Sequence, residues 1–289
     1  MPADLLHPAL GWNVLDDIGE LLRFHFMQNA LAAGTVVAVM GGVMGWFVVL
    51  RGQTFAAHTL AQVGFPGAAG AALAGVSPLY GLLLFCTVAA GGIVVLSPPL
   101  DEGRRSESAA IGTVLTVALA LGFLFASLYH GSITAVYAFL FGSFVGISDQ
   151  QVLVVVAVAA AALLALAAIG RQVLFASVQP DVAAARGVRV RALSTAFLLL
   201  LALSVAIAAE VTGTLLVFAL LVTPAATAQQ LTARPGRGLL LSVAVAVLVA
   251  WVGLGLAYYS VYPVGFFVTT VAFAAYLPAR VWRWRMRAA

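Results

Sequence analysis

Nine apolar stretches, each long enough to cross a bilayer and separated by short links rich in arginine, proline or glycine, divide most of this chain: 27–50, 54–76, 78–98, 107–128, 151–170, 190–209, 211–232, 238–260 and 263–282. A hydrocarbon core about 30 Å thick takes roughly 20 apolar residues in helical form. The pattern therefore predicts an all-α integral membrane protein of about nine transmembrane helices, built as one compact domain over 27–282. Composition agrees, because only 8% of the 289 residues are charged and 63% are hydrophobic, against about 25% charged in soluble domains.

All 14 basic residues are arginine, and they set the net charge of +4. The phosphate-cradling loop of ATPases needs a lysine at a fixed place, so any ATP that drives this chain must be hydrolysed on another polypeptide. The arginines flank apolar spans, which argues against nucleic acid as a partner and for membrane lipid and cytosol. With nine alternating spans, Arg51, Arg104, Arg105, Arg171, Arg186, Arg189, Arg191, Arg234, Arg237 and the four from Arg280 to Arg287 share one side. The positive-inside rule makes that side cytoplasmic, with the amino terminus outside and 283–289 a basic cytoplasmic tail. Asp4, Asp16, Asp17 and Glu20 are out of keeping with a signal peptide, whose order is basic then apolar. Residues 1–26 are read as an amphipathic segment on the membrane surface. A single cysteine, Cys86, allows neither an internal disulfide nor a thiolate cluster.

The stretch 132–147 is short for a span, and counting it as one would place the arginine-rich loop at 171–191 outside. It reads as re-entrant, with Phe141, Gly142 and Ser143 as a wall of a pathway, or as a plain surface helix beneath a loop. Glycines at 41, 42, 45, 64, 67 and 70 suit close helix packing. Pro66 offers a second reading, a break in its helix that frees backbone carbonyls.

Ionisable side chains are costly inside a bilayer and usually face a cavity. His58 and Gln62 lie one helical turn apart on one face, where an imidazole and an amide oxygen can meet a transition metal; a histidine bonded to a neighbouring helix is the other reading. Glu210, between two apolar runs, either attracts a cation at an outer vestibule or starts a helix, where the dipole favours a carboxylate. Asp149 has the same two readings. His130 is similarly placed on the outer side, while His7 and His25 carry no further signal. No catalytic constellation is present, and no resident cofactor is expected.

Between two spans, the segment Phe175–Gly187 carries its own signals for a short helix: Pro180 for the first turn, Asp181 for the positive end, Arg186 for the negative end and Gly187 for a left-handed stop. A mere turn, or a surface that receives motion from a soluble ATPase, would use it.

Several segments resemble the membrane permeases of bacterial zinc and manganese ABC importers: Phe47–Arg51 running into Phe55–Ala61, Val178–Ala183 with Arg186–Val188, Phe139–Gly142, and Gly213–Ala228 with its Pro224 followed by Ala-Ala-Thr-Ala. The resemblance implies a type II ABC-importer-like permease working as a homodimer in the bacterial cytoplasmic membrane, with two cytoplasmic ATP-binding subunits and an extracellular metal-binding protein. It implies a coupling segment at 172–191 in which Ser177, Pro180, Asp181, Arg186 and Gly187 meet the ATPase, and places Phe141, Gly142, Ser143 and Pro224 along the pathway. Where the family pattern has aspartate and then histidine, this chain has His58 and Gln62. That neutral pair leans toward nitrogen-preferring zinc, with manganese next. An ion-gradient transporter or channel without an ATPase is the alternative, and an anchor that only assembles partners is a third reading.

Overall fold

The computed structural model describes residues 19, 23–97, 104–129, 131, 140–142, 146–260 and 262–288. Most of the segment at 1–26, and with it His7, lies outside them, as do His130, Ser143 and most of the 132–147 stretch. Among the described residues there are ten helices and no strand: α1 (His25–Arg51), α2 (Thr54–Leu73), α3 (Pro78–Leu96), α4 (Arg104–Leu128), α5 (Asp149–Val178), α6 (Pro180–Ala185), α7 (Val190–Thr212), α8 (Thr214–Leu231), α9 (Pro235–Tyr258) and α10 (Val264–Ala288). All but α6 are long, and eight of them are both long and apolar enough to cross a membrane.

The ninth long helix, α2, is the polar exception, with His58, Gln62, Thr54, Thr59 and Pro66 in its 20 residues. Its packing resolves the apparent conflict. It lies against α3, α4, α7 and α8, and residues 63–69 are all buried while His58 and Gln62 are half-buried, so much of the helix is covered by protein. α1 packs on α9, α8 and α5, and α8 occupies the centre with α1, α2, α7, α9 and α10 as neighbours.

Small residues allow this closeness. A Cβ at Gly45 would stand 1.8 Å from the Leu221 carbonyl oxygen, and one at Gly81 would stand 1.9 Å from that of Gly67. Close backbone approach gives helices in lipid the van der Waals contact that replaces a hydrophobic drive. Gly42 adds a polar tie, because the buried Ser242 hydroxyl donates to its carbonyl at 2.7 Å.

Helix ends follow local chemistry. Gly52, at φ 69°, terminates α1, and Pro78, Pro180 and Pro235 open α3, α6 and α9 at positions whose N–H has no helical acceptor. α5 opens with a full capping box, in which the Ser148 hydroxyl accepts from the Gln151 N–H while Gln151 Oε1 accepts from the Ser148 N–H. It runs to Val178, past the expected end at 170, because Arg171 and Gln172 sustain a helix as well as leucine does. α10 likewise continues through 283–288 as one helix.

Candidate functional site

His58 and Gln62 project from the half-buried face of α2, between the fully buried positions 57, 59, 60, 61 and 63. The His58 ring meets Phe218 of α8 edge to face, with centroids 4.9 Å apart. Nδ1 is buried and has no hydrogen-bond partner, and the same holds for the hydroxyls of Thr59 in α2 and Thr214 in α8. The hydrogen-bonded core histidine weighed above is thus not what Nδ1 shows. A buried polar atom left unpaired carries a free-energy cost of about 1–3 kcal/mol, which a passing cation or water would relieve.

Pro66 adds a second donor atom at the same level. It has no N–H to give to the carbonyl four residues back, which belongs to Gln62. Gln62 therefore brings both an amide oxygen and a backbone oxygen released from the helical ladder. Pro224 does the same for Leu220 in α8. Among the described residues no three of His, Cys, Asp and Glu come together as a metal cluster. What α2 presents here is an imidazole and neutral oxygens on a half-buried face.

Glu210 requires a correction. It does not start a helix; it sits in the last turn of α7, two residues before Thr212, where the negative end of the dipole disfavours a carboxylate. Its Oε1 faces the Gln151 amide at 3.5 Å. Asp149 is not the cap either, since Ser148 holds that place. Instead Asp149 Oδ1 accepts from Asn29 Nδ2 at 2.7 Å and lies 2.9 Å from His25 Nε2, while Asn29 also donates to the Ile147 carbonyl. His25, which carried no signal in the sequence, thus joins the start of α1 to the start of α5. Partners separated by 124 positions leave no mark in spacing.

Phe141 and Gly142 lie at the junction of α7 and α8. Gly142 and Gly213, with φ of 77° and 78°, meet backbone to backbone. A Cβ on Gly213 would stand 2.2 Å from the Gly142 nitrogen, and one on Gly142 would stand 2.5 Å from the Thr212 carbonyl carbon.

At the arginine-rich face, α6 forms as expected. Pro180 occupies its first turn, Asp181 is exposed there, and Gly187 takes φ 80° after Arg186. Its one buried residue, Ala183, is fully covered, and its carbonyl accepts from the Val188 N–H. The Arg186 guanidinium lies 5.9 Å from the Phe175 ring centre. Beside it opens a cleft of about 450 Å³ whose lining includes Gln172, Arg186, Arg189 and Ala192. Ser177 belongs to a staple that the sequence did not reveal. Arg51 donates from Nη1 to Ser177 Oγ at 3.1 Å, from Nη2 to Ser194 Oγ at 2.6 Å and from Nε to Gln53 Oε1 at 3.0 Å, and it covers the Phe197 ring. One guanidinium so joins α1, the end of α5, the start of α7 and the link into α2.

The fold and this arrangement define a multi-span membrane permease with a short helix between two spans. The model of the ABC 3 transport family matches residues 23–283, and the chain belongs to that family. It is 29% identical over 245 residues to the manganese import system permease protein ScaB of Streptococcus parasanguinis, covering 85% of this chain and 86% of the relative. It is 31% identical over 240 residues to the manganese transport system membrane protein MntC of Listeria monocytogenes, covering 82% and 84%. Among solved structures, PsaBC from Streptococcus pneumoniae in complex with Fab superposes with a TM-score of 0.81 at 28% identity, over 92% of this chain and 95% of that one. The chain is thus a permease subunit, and ATP hydrolysis belongs to a separate subunit.

Proposed function

We propose that this permease imports a divalent metal ion, driven by an ATP-binding subunit that docks at α6 and supplied by an extracellular metal-binding protein. The observation that carries the reading is His58: a buried, unpartnered imidazole nitrogen on the half-buried face of the most polar span, beside the released carbonyl of Gln62. A single protomer gathers no complete ligand set among the described residues. A homodimer that apposes two such faces would double the imidazoles and oxygens around one ion, and Glu210 would draw cations toward the outer end of the path. Neutral donors hold a divalent ion weakly, which favours transit, since an ion must also leave.

The relatives' printed names support manganese, and that reading heads the proposal. Zinc is the second reading, favoured by the imidazole and the missing carboxylate at 58 and 62. The membrane is the bacterial cytoplasmic one, with α6 and the arginine-rich face toward the cytoplasm and the amino terminus outside.

The test is cellular uptake of manganese and zinc, each measured at matched membrane levels of wild type and His58→Ala. Uptake is expected to fall by about tenfold or more, a loss of roughly 1.4 kcal/mol or more in transition-state terms. Unchanged uptake of both metals would remove His58 from the path. Metal movement in ATP-free liposomes by the chain alone would instead support a gradient-driven transporter or channel.

A further inference from the structure

We propose that the arginine-side end of α10 is a binding surface for anionic phospholipid headgroups. The helix is continuous from Val264 to Ala288. From Val264 it reaches Trp282 after about 27 Å of rise at 1.5 Å per residue, close to the hydrocarbon thickness of about 30 Å. The turn that follows therefore stands at headgroup depth.

Its rotation is pinned. Arg283 Nη1 donates to the Gln229 carbonyl and to Gln230 Oε1, both at 3.1 Å, so this arginine faces the bundle and satisfies an end carbonyl of α8. Gln229 in turn donates to the Trp46 carbonyl of α1. With Arg283 turned inward, about 100° per residue places Trp282 and Trp284 on the two flanks and Arg285 on the outer side. The surface agrees: Trp282 is 61% and Trp284 70% exposed, and Arg280 and Arg285 are exposed as well. Indoles prefer the membrane interface, and a guanidinium meets a phosphate with two parallel N–H donors. Two flanking indoles, the outward Arg285 guanidinium and the exposed Arg280 on the Trp284 flank fit a lipid carrying net negative charge.

Position favours lipid over a protein occupant. α10 packs chiefly on α8 and α9, at the edge of the bundle, whereas α6 packs on α5 and α7. The basic end of α10 is thus separate from the helix that the proposed ATP-binding subunit would meet.

The test uses the full chain in phosphatidylcholine nanodiscs doped with increasing brominated phosphatidylglycerol or brominated phosphatidylcholine, with tryptophan fluorescence as the readout. The wild type is expected to reach half-quenching at roughly a fivefold lower fraction of the glycerol lipid, about the effect of one well-placed arginine at an anionic surface. Arg280→Gln with Arg285→Gln should bring the two lipids together, Arg280→Lys with Arg285→Lys should keep the preference, and Trp282→Phe with Trp284→Phe should remove most of the lipid-specific signal. Variants are compared at matched elution volume and melting temperature. Equal quenching of the wild type by both lipids overturns the proposal, as does a preference that survives the glutamine pair or the phenylalanine pair. Absence of quenching by either lipid would assign the face to a second copy. Loss of the ATP-binding subunit from the glutamine pair with unchanged quenching would assign it to that subunit. Either result would also overturn the proposal.

Discussion

Gly142 and Gly213 touch through their backbones, each in a positive-φ conformation, at the point where α7 passes into α8 without a loop. Gly213, at φ 78° and ψ 154°, occupies a region open almost only to glycine. The contact seats Phe141 and Gly142 on the junction between two central helices.

Gly213→Ala should therefore combine a backbone cost of about 1–3 kcal/mol with a steric clash. The expected result is loss of the monodisperse peak in fluorescence-detected size exclusion and a melting temperature lowered by several degrees. Gly142→Ala should behave alike. A wild-type melting curve for either would show that the two backbones are not in contact.

Gly45→Ala and Gly112→Ala form a contrasting pair. The first places a methyl group 1.8 Å from a carbonyl oxygen of α8, while the second meets nothing within 4 Å. Gly45→Ala should abolish stable folding, and Gly112→Ala should leave the melting temperature unchanged or raise it through helix propensity, by up to about 1 kcal/mol. Thermal melts of the two proteins in detergent check this.

Arg51→Lys should separate ATP turnover from transport. An ammonium cannot reproduce the planar fork that reaches Ser177, Ser194 and Gln53 together. In the assembled complex, ATP hydrolysis is expected to persist while metal uptake falls by about an order of magnitude, since roughly 1.4 kcal/mol of lost coupling is tenfold. A proportional loss of both activities would give Arg51 a purely structural role.

Glu210→Gln should make the protein more stable and less active. The substitution removes a carboxylate from the unfavourable end of α7 and keeps an amide beside Gln151. A gain of about 0.3–1 kcal/mol is expected from the dipole alone, with slower uptake at low external metal. Unfolding midpoints and uptake at two metal concentrations check both parts.

Much of the architecture could be read from residue order, because lipid leaves helices little freedom in length or satisfaction of backbone groups. The starts and stops that carry a proline or glycine, such as Pro78, Pro180, Gly52 and Gly187, were legible for the same local reasons that operate in the fold. Glu210 misled because charge preference at a helix terminus is weak, whereas the Gly213 conformation decides where α7 ends. Arg171 suggested a membrane boundary and so a helix end, but α5 simply leaves the apolar zone and continues. His58 and Gln62 were visible as polar groups in an apolar run. The unpartnered state of Nδ1 and the seat on Phe218 were not, since they depend on α8, some 160 positions away along the chain. The His25 and Asp149 link, the Arg51 staple and the Gly142 and Gly213 contact join distant segments and are properties of packing alone.

Cys86, the chain's one thiol, is fully buried and its sulfur donates to the Leu60 carbonyl at 3.4 Å. Maleimide reagents cannot reach it while the bundle is folded. Any cysteine introduced at an exposed site would be the sole reactive one, so accessibility and distance probes can be attached to the natural background without first stripping it.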